Sequence, residues 1–594
     1  MRLRWLKVLV PVLAVAGLAV ALASCGGGGG GEEESVTSSK FAPPTAPPDN
    51  AQKGGTLTVI SSGDVDYIDP GAAYYQYTYM IDGALDRPLL SWPPDETQRP
   101  QPDLAEGEDL SSDGKTLTFK LKSGIKYSPP VNREVKSADV KYAIERALLP
   151  GVANGYVAAY LGDIEGFKEA EAAAKEDPTT APDISGIETP DDRTIVFHLT
   201  QSTGLTAEQA LSLPISSPVP EEYAKQYDAE NPSTYGENQV NVGPYMLESY
   251  SPGKEINLVR NPNWDPSTDY RPAYLDKINV ESGFTDTVSA TKKILAGNAE
   301  INGDFSPPAQ GVKLAATQYA DQMTLTPSGG NRYIALNTSE PPFDDINIRK
   351  AVIANSDRTA LVATRGGPLV GPVATHFIPP EIPGFEEAGG LKGPPDLDFV
   401  QNPQGDPNLA ADYMKKAGFD SGKCEGSVCD ITMVGENQPP DKDSAEVAKS
   451  QFEELGFNVN LQEVNGDVMY TKFCNVPKNE PNVCPNVGWI KDFNDGQAMI
   501  DIPFNGASIN PSNNSNWPLL DDKSINEAMD KAKLVTDPDQ RAEAWGKVDA
   551  DIMAQAPAIP WIWDNQANLA SSDVAVVINK FNATADLSFT SLTK

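Results

Sequence analysis

Polar and apolar residues alternate in Gly54-Gly55-Thr-Leu-Thr-Val-Ile60, a pattern that predicts a strand leading to a turn at Asp69-Pro70. Asp113-Gly114 reads as a hairpin turn before the strand Thr116-Leu-Thr-Phe-Lys-Leu121. The phosphate-loop reading of Ser112 to Thr116 fails, because the Gly it needs at position 109 is Asp109. Val140, Ile144 and Leu148 recur every four residues and predict a helix capped by Ser137 and ended by Pro150. A second turn-and-strand unit runs from Thr189 to Leu199, with His198 on the face opposite Ile195, Phe197 and Leu199. Asn241 to Tyr245 turns into another strand, and Val259 to Trp264 closes that region. Tyr333 to Asn337 reads as a buried strand, followed by a helix carrying Ile348, Val352 and Ile353.

From there the pattern becomes regular. A helix from about Pro407 to Ala417 stops at Gly418 and is followed by the strand Ile431 to Val434. A second helix, with Val447, Gln451 and Leu455 on one face, stops at Gly456 before the strand Asn458 to Val464. Helix–glycine–strand repetition implies an α/β sheet with helices packed on it. One long helical stretch, Ile525 to Ala554, leads to an extended strand from Pro557 to Trp563.

The candidate chemistry lies in Gly488-Trp-Ile-Lys-Asp-Phe-Asn-Asp-Gly496, a strand end entering a loop. It sets Trp489 and Phe493 around Asp492, an arrangement suited to an organic ligand with a positive amine: the rings take apolar surface and the acid pairs with the charge. A half-buried strand end with a solvated Asp492 fits the same residues. A calcium loop over Asp492 to Gly496 does not, since the Gly falls one position early and Pro503 stands where a bidentate Glu is needed.

The amino terminus changes the compartment. Arg2, Arg4 and Lys7 precede an apolar run from Val8 to Ala21, too short for an ordinary membrane span and built like a secretory signal. Leu22-Ala-Ser-Cys25 resembles the lipobox of bacterial lipoproteins, which implies cleavage before Cys25 and diacylglycerol on its sulfur. The Gly-, Glu- and Pro-rich stretch to residue 52 has little to bury and reads as a flexible tether. The body beyond it, roughly 540 residues, suggests three or four domains at about 150 residues each. Its 39% hydrophobic content is ample for large cores, and no linker interrupts it, so the domains are interleaved. A formal charge of −36 argues against nucleic acid and against a membrane-hugging surface. Outside the cytosol the close spacings favour the disulfides Cys424–Cys429 and Cys474–Cys484; neither pair has a nearby His to suggest zinc.

The order of landmarks carries a resemblance. Gly-Gly-Thr-Leu, Asp-Pro, Asp-Gly-Lys-Thr, Ser-Ala-Asp-Val, Gly-Pro-Tyr, Arg-Asn-Pro-x-Trp, Leu-Asn-Thr with Pro-Pro-Phe-Asp-Asp, Gly-Trp-x-x-Asp-Phe and Ala-Pro-x-Ile-Pro follow one another through Lys53 to Val577. This order resembles family 5 of the extracellular solute-binding proteins, the oligopeptide- and dipeptide-binding components of ABC importers. The resemblance implies a two-lobed periplasmic-binding-protein-like (Venus-flytrap) α/β fold, with a small domain inserted in the first lobe and the ligand enclosed by hinge closure. The expected layout is a signal peptide at 1–24, a tether at 25–52, a first lobe at 53–337 with the insertion at about 91–188, a second lobe at 338–556 and a return to the first lobe at 557–594. Asp492 matches the family's ammonium-binding acid, Gly488 and Trp489 match residues whose backbone runs beside a peptide ligand, and the loop before Asp69-Pro70 makes Val65 and its neighbours further ligand candidates. The implied partners are a peptide, permease subunits and, through Cys25, the outer face of the cell membrane; the implied state is a monomer without cofactor or metal. An oligosaccharide or metal chelate, or a signalling role, fits the same architecture. For a secreted hydrolase the usual nucleophile–base arrangement has little to draw on, with His198 and His376 the only histidines and no Gly-x-Ser-x-Gly elbow, while a glycosidase needs only two carboxylates and the 83 acids do not exclude it.

Overall fold

The computed structural model describes residues 39–593. Their first five-stranded sheet has the order Glu300–Asn302, Thr56–Ile60, Lys277–Glu281, Glu255–Arg260, Tyr245–Ser251. Thr56–Ile60 runs parallel to both neighbours, and the remaining pairs are antiparallel. The period of two that marked these strands puts Leu57, Val59, Ile256, Leu258, Ile278 and Val280 into one apolar cluster. Tyr77, Met80, Ile81 and Leu85 of helix Gln76–Leu85 fill the same cluster, which sets that helix beneath the sheet.

A four-stranded antiparallel sheet follows the order Ala105–Leu110, Thr116–Leu121, Thr194–His198, Ile187–Asp191. Its buried Leu117, Phe119, Ile195 and Phe197 form the centre of a small domain. The hairpin Ile187 to His198 is one unit of this sheet, so the expected boundary at 188 divides it and belongs further along the chain. The helix after Asp113-Gly114 spans Ser137–Arg146 and is capped differently from expectation: Asp139 accepts the backbone N–H of Lys136 at 2.9 Å, while the Ser137 hydroxyl donates to the carbonyl of Asp191.

The second five-stranded sheet has the order Asn458–Val464, Asp430–Glu436, Val483–Ile490, Met323–Leu336, Ala558–Leu569. Its first two strands are parallel, and Met323–Leu336 is antiparallel to both neighbours. Helix Asp441–Glu454 packs on it through Ala445, Ala448 and Phe452 rather than through Val447 and Gln451. Small residues win this face because the backbone comes close: a Cβ at Gly435 would lie 2.9 Å from that of Ala445. The stretch Ile525 to Ala554 is two helices, Lys523–Lys533 and Pro538–Gln555, since Pro538 can start a helix but not continue one and Asp537 caps it.

Met323–Leu336 and Ala558–Leu569 are longer than the pattern suggested and both belong to the second sheet, so the expected limits at 337 and 557 cut across it. Beyond Gly330 and Asp564 the pair leaves its other neighbours and continues as a two-stranded ribbon. A bulge marks the departure at Ser328-Gly329, where Gly329 holds φ +61°. Ala570, at the end of the ribbon, bridges Ile301 on the edge of the first sheet.

The signal peptide, Cys25 and the first part of the tether lie outside the described residues. The tether ends before residue 52: Phe41 is buried in the main core, the Pro44 carbonyl accepts from Ile578, and Gln52 bridges Leu592. A buried aromatic ring and backbone bonds tie down a stretch that its composition reads as solvated. Both disulfides, Cys424–Cys429 and Cys474–Cys484, are formed. Among the described residues no helix is long and apolar enough to cross a membrane.

Candidate functional site

Strand Val483–Ile490 ends at a loop of five residues, 491–495, and helix Gly496–Phe504 starts on the far side, its first turn capped by Asp495. Asp495 is held in turn by Arg541 at 2.6 Å, which fixes the loop from behind. Trp489 donates its indole N–H to the carbonyl of Ala498 at 2.7 Å and meets Tyr74 and Trp517 edge-on, with ring centres 5.7 and 5.8 Å away.

Asp492 is 4% exposed and lines a cavity of about 260 Å³ between the two large sheets. Its carboxylate accepts hydrogen bonds from the hydroxyls of Tyr74, at 2.8 Å, and Tyr160. Both phenols come from the opposite side of the cavity, one after the Asp69-Pro70 turn and the other from helix Val157–Leu161. Burial pushes the Asp492 carboxyl up, the two phenol bonds pull it back only in part, and it settles at about 7. Among the described residues no cation touches it.

Gly488 also lines the cavity, and its N–H donates to the hydroxyl of Tyr470 at 3.1 Å. Past Met433 and Val483 the strands Asp430–Glu436 and Val483–Ile490 diverge, which leaves the latter's edge facing the cavity. A Cβ at position 488 would meet the guanidinium of Arg332 at 3.3 Å, so glycine keeps both groups in place. Phe493 is fully buried and packs edge-on against Tyr160 at 5.1 Å; it supports the wall without forming it.

The opposite wall contains Ser62, Gly63 and Asp64, but Val65, 5% exposed, points into the first-sheet core and takes no part in the cavity. Of the candidates Val65 and its neighbours, the cavity takes the preceding residues Ser62, Gly63 and Asp64. What the sequence reading missed is the run Tyr74-Tyr75-Gln76-Tyr77-Thr78-Tyr79, in which all four tyrosines line the cavity. Four phenols in six residues beside a Pro turn were a usable signal. Tyr160 and Tyr470 carried none.

The far end of the cavity is acidic. Asp304, Glu436, Asp441 and Asp467 line it, with Arg332 among them. Arg332 is paired with Asp564 at 2.7 Å. Asp304 accepts the N–H of Gly63 at 3.2 Å; burial raises it to about 7, and Asp441 and Asp467 add to the rise. Neither histidine lines the cavity. His376 is buried between Asp549, at 2.8 Å, and the carbonyl of Gly390, at 3.1 Å, and His198 lies half-exposed on the small sheet.

The family model for bacterial extracellular solute-binding proteins, family 5 Middle, matches residues 99–511. Di/tripeptide-binding protein 3 of Pseudomonas aeruginosa is 25% identical over 469 residues, covering 77% of this chain and 80% of its own. The oligopeptide-binding protein OppA of Bacillus subtilis is 24% identical over 469 residues, covering 78% and 79%. In three dimensions the chain is similar to Haemophilus influenzae OppA solved in complex with RPPGFSPFR, with a TM-score of 0.75, 19% identity and coverage of 92% and 100%. That likeness, two lobes of α/β structure with a cavity between them, is the architecture described above. The chain belongs to family 5 of the bacterial extracellular solute-binding proteins.

Proposed function

We propose that this protein captures peptides by their free α-amino group in the cavity between its two large sheets and delivers them to the permease of an ABC importer, held at the outer face of the cell membrane by a lipid on Cys25. The observation that carries the reading is Asp492: a buried carboxylate on the cavity wall, bonded to two neutral phenols and with no cation on it among the described residues. An α-ammonium supplies the missing charge, and the rings of Trp489 and Tyr74 flank it with apolar surface. The edge Gly488 to Ile490 offers backbone groups to a peptide lying alongside, a mode that tolerates many side chains.

Calorimetry with alanyl-alanine and its N-acetyl form tests the reading. Leaving one partner of a buried charge pair unmatched costs roughly 3–5 kcal/mol. At about 1.4 kcal/mol per tenfold, Asp492→Asn weakens binding by two to three orders of magnitude. Acetylation costs the wild type a similar amount and the variant little more, because both changes remove one shared contact. An acetylated dipeptide that bound the wild type unimpaired would eliminate the role of Asp492. The anchor has its own check: an alkyne fatty acid labels the wild type, and a Cys25→Ala form that kept the label would refute it.

A further inference from the structure

A second, smaller cavity of about 90 Å³ opens beside the first. Tyr79, Lys491, Asp492 and Asn582 line both, so the two meet at the carboxylate assigned to the ammonium. Asp82, from helix Gln76–Leu85, lines the smaller one. It is 4% exposed, and neither carboxylate oxygen has a hydrogen-bond partner. Ser217, 2% exposed, and Tyr79 also line this cavity, and their hydroxyls are unpartnered too. Leaving a buried carboxylate and two hydroxyls unmatched costs several kcal/mol, so their grouping around one cavity points to an occupant that supplies donors.

The cations on the same walls are already committed. Arg271 pairs with Asp103 at 2.6 Å and Asp269 at 2.9 Å, and the Lys491 ammonium donates to the carbonyls of Ser328 and Phe581 at 3.1 and 3.0 Å. Asp586, the remaining acid, accepts the backbone N–H groups of Ser588 and Phe589. Asp82 alone among these charged groups is unsatisfied. Burial, with Asp86, Asp66 and Asp69 adding to it, holds its carboxyl well above the usual range, as expected of an acid that lacks a counter-charge.

We infer that the smaller cavity receives the side chain of the ligand's first residue and selects a positively charged one, its terminal ammonium on Asp82 with Ser217 and Tyr79 completing the ring of acceptors. The inference rests on the peptide reading, because an α-ammonium on Asp492 places the α-carbon one bond away, at the mouth of this cavity. Its volume holds about six waters at roughly 15 Å³ each, or one unbranched aminoalkyl chain.

The test is calorimetry with lysyl-alanine, norleucyl-alanine and alanyl-alanine on the full-length protein. Norleucine keeps the length of lysine and lacks its charge. The wild type is expected to bind lysyl-alanine at least tenfold tighter than norleucyl-alanine, and Asp82→Asn to bring that ratio to near one. Ser217→Ala, which removes one acceptor and little volume, reduces the ratio partway. Asp82→Asn also unfolds at the same or a higher temperature than the wild type at neutral pH, since it replaces a buried unpaired acid with a neutral isostere. A wild-type ratio near one, or a ratio unchanged in Asp82→Asn, overturns the inference while leaving peptide binding intact. Failure of all three dipeptides to bind removes the peptide reading and this inference with it.

Discussion

At the scale of the residue, the proposed capture of an amine depends on one acid, Asp492, which burial pushes up to about 7. Folding raises Asp492 to about 7, so below that pH it is protonated and offers an ammonium no charge. The sign follows: affinity for an amine-bearing ligand rises as pH climbs toward about 7, and it levels off near 8, where a free α-amine begins to lose its own proton. One unit below the carboxyl's midpoint costs about tenfold, so binding at pH 5.5 is weaker than at pH 7.5 by at least that factor. Titration calorimetry across this range should show the dependence in the wild type and its loss in Asp492→Asn; a variant that kept it would assign the effect to Asp304 or Glu436. Asp492 was legible because its chemistry sits in one short run with Trp489. The phenols that set its properties were not, since Tyr74 and Tyr160 reach it across 418 and 332 residues of chain.

At the scale of the element, caps and breakers accounted for most of what could be read, and the exceptions have local causes. Pro538 divided a helical stretch that hydrophobic spacing alone treats as continuous. Helix Asp441–Glu454 turned a different face to its sheet because close backbone approach rewards Ala445 and Ala448 over Val447. The disulfides follow spacing that any reader of the chain would notice. Cys474–Cys484 joins the turn that carries Tyr470 to the start of the strand that carries Gly488. On the chain-entropy model a loop of this length is worth about 3 kcal/mol and the shorter Cys424–Cys429 loop about 2. Replacing each pair with alanine should therefore lower the denaturant midpoint, more for the first pair than the second. Equal or absent shifts in urea titrations would show that the bridges do not act through the unfolded chain.

At the scale of the whole molecule, buried acids dominate the response to pH. Asp66 and Asp586 are raised to about 6, and Glu145, Asp86 and Asp304 join Asp492 at about 7, all chiefly by burial. Each binds its proton more tightly folded than unfolded, so each contributes stability that is complete below pH 4 and is lost as pH rises through 6–7. Asp103 opposes this: burial is outweighed there by Arg271 and Arg87, which hold it below the ordinary range, and its contribution is lost only as pH falls below 4. With a formal charge of −36 pressing the same way, the unliganded protein should melt a few degrees higher at pH 5 than at pH 8. Scanning calorimetry that found the opposite order would mean these carboxyls are ionised in the folded state. The α/β class was legible in the repeated helix–glycine–strand units. The boundaries were not, because a buried apolar run such as Tyr333 to Asn337 reads the same whichever sheet it joins.

The ribbon between the sheets also constrains the order in which the protein can be built. Met323 pairs with Leu569, and Ile301, on the edge of the first sheet, meets Ala570. A chain growing from its amino terminus therefore has every strand of the first large sheet by residue 302, but cannot complete the second until Ala558–Leu569 exists, close to the end of its 594 residues. Until then the strand Met323–Leu336 presents one open edge to whatever surrounds it. The ligand cavity, which lies between those sheets, is among the last features to form.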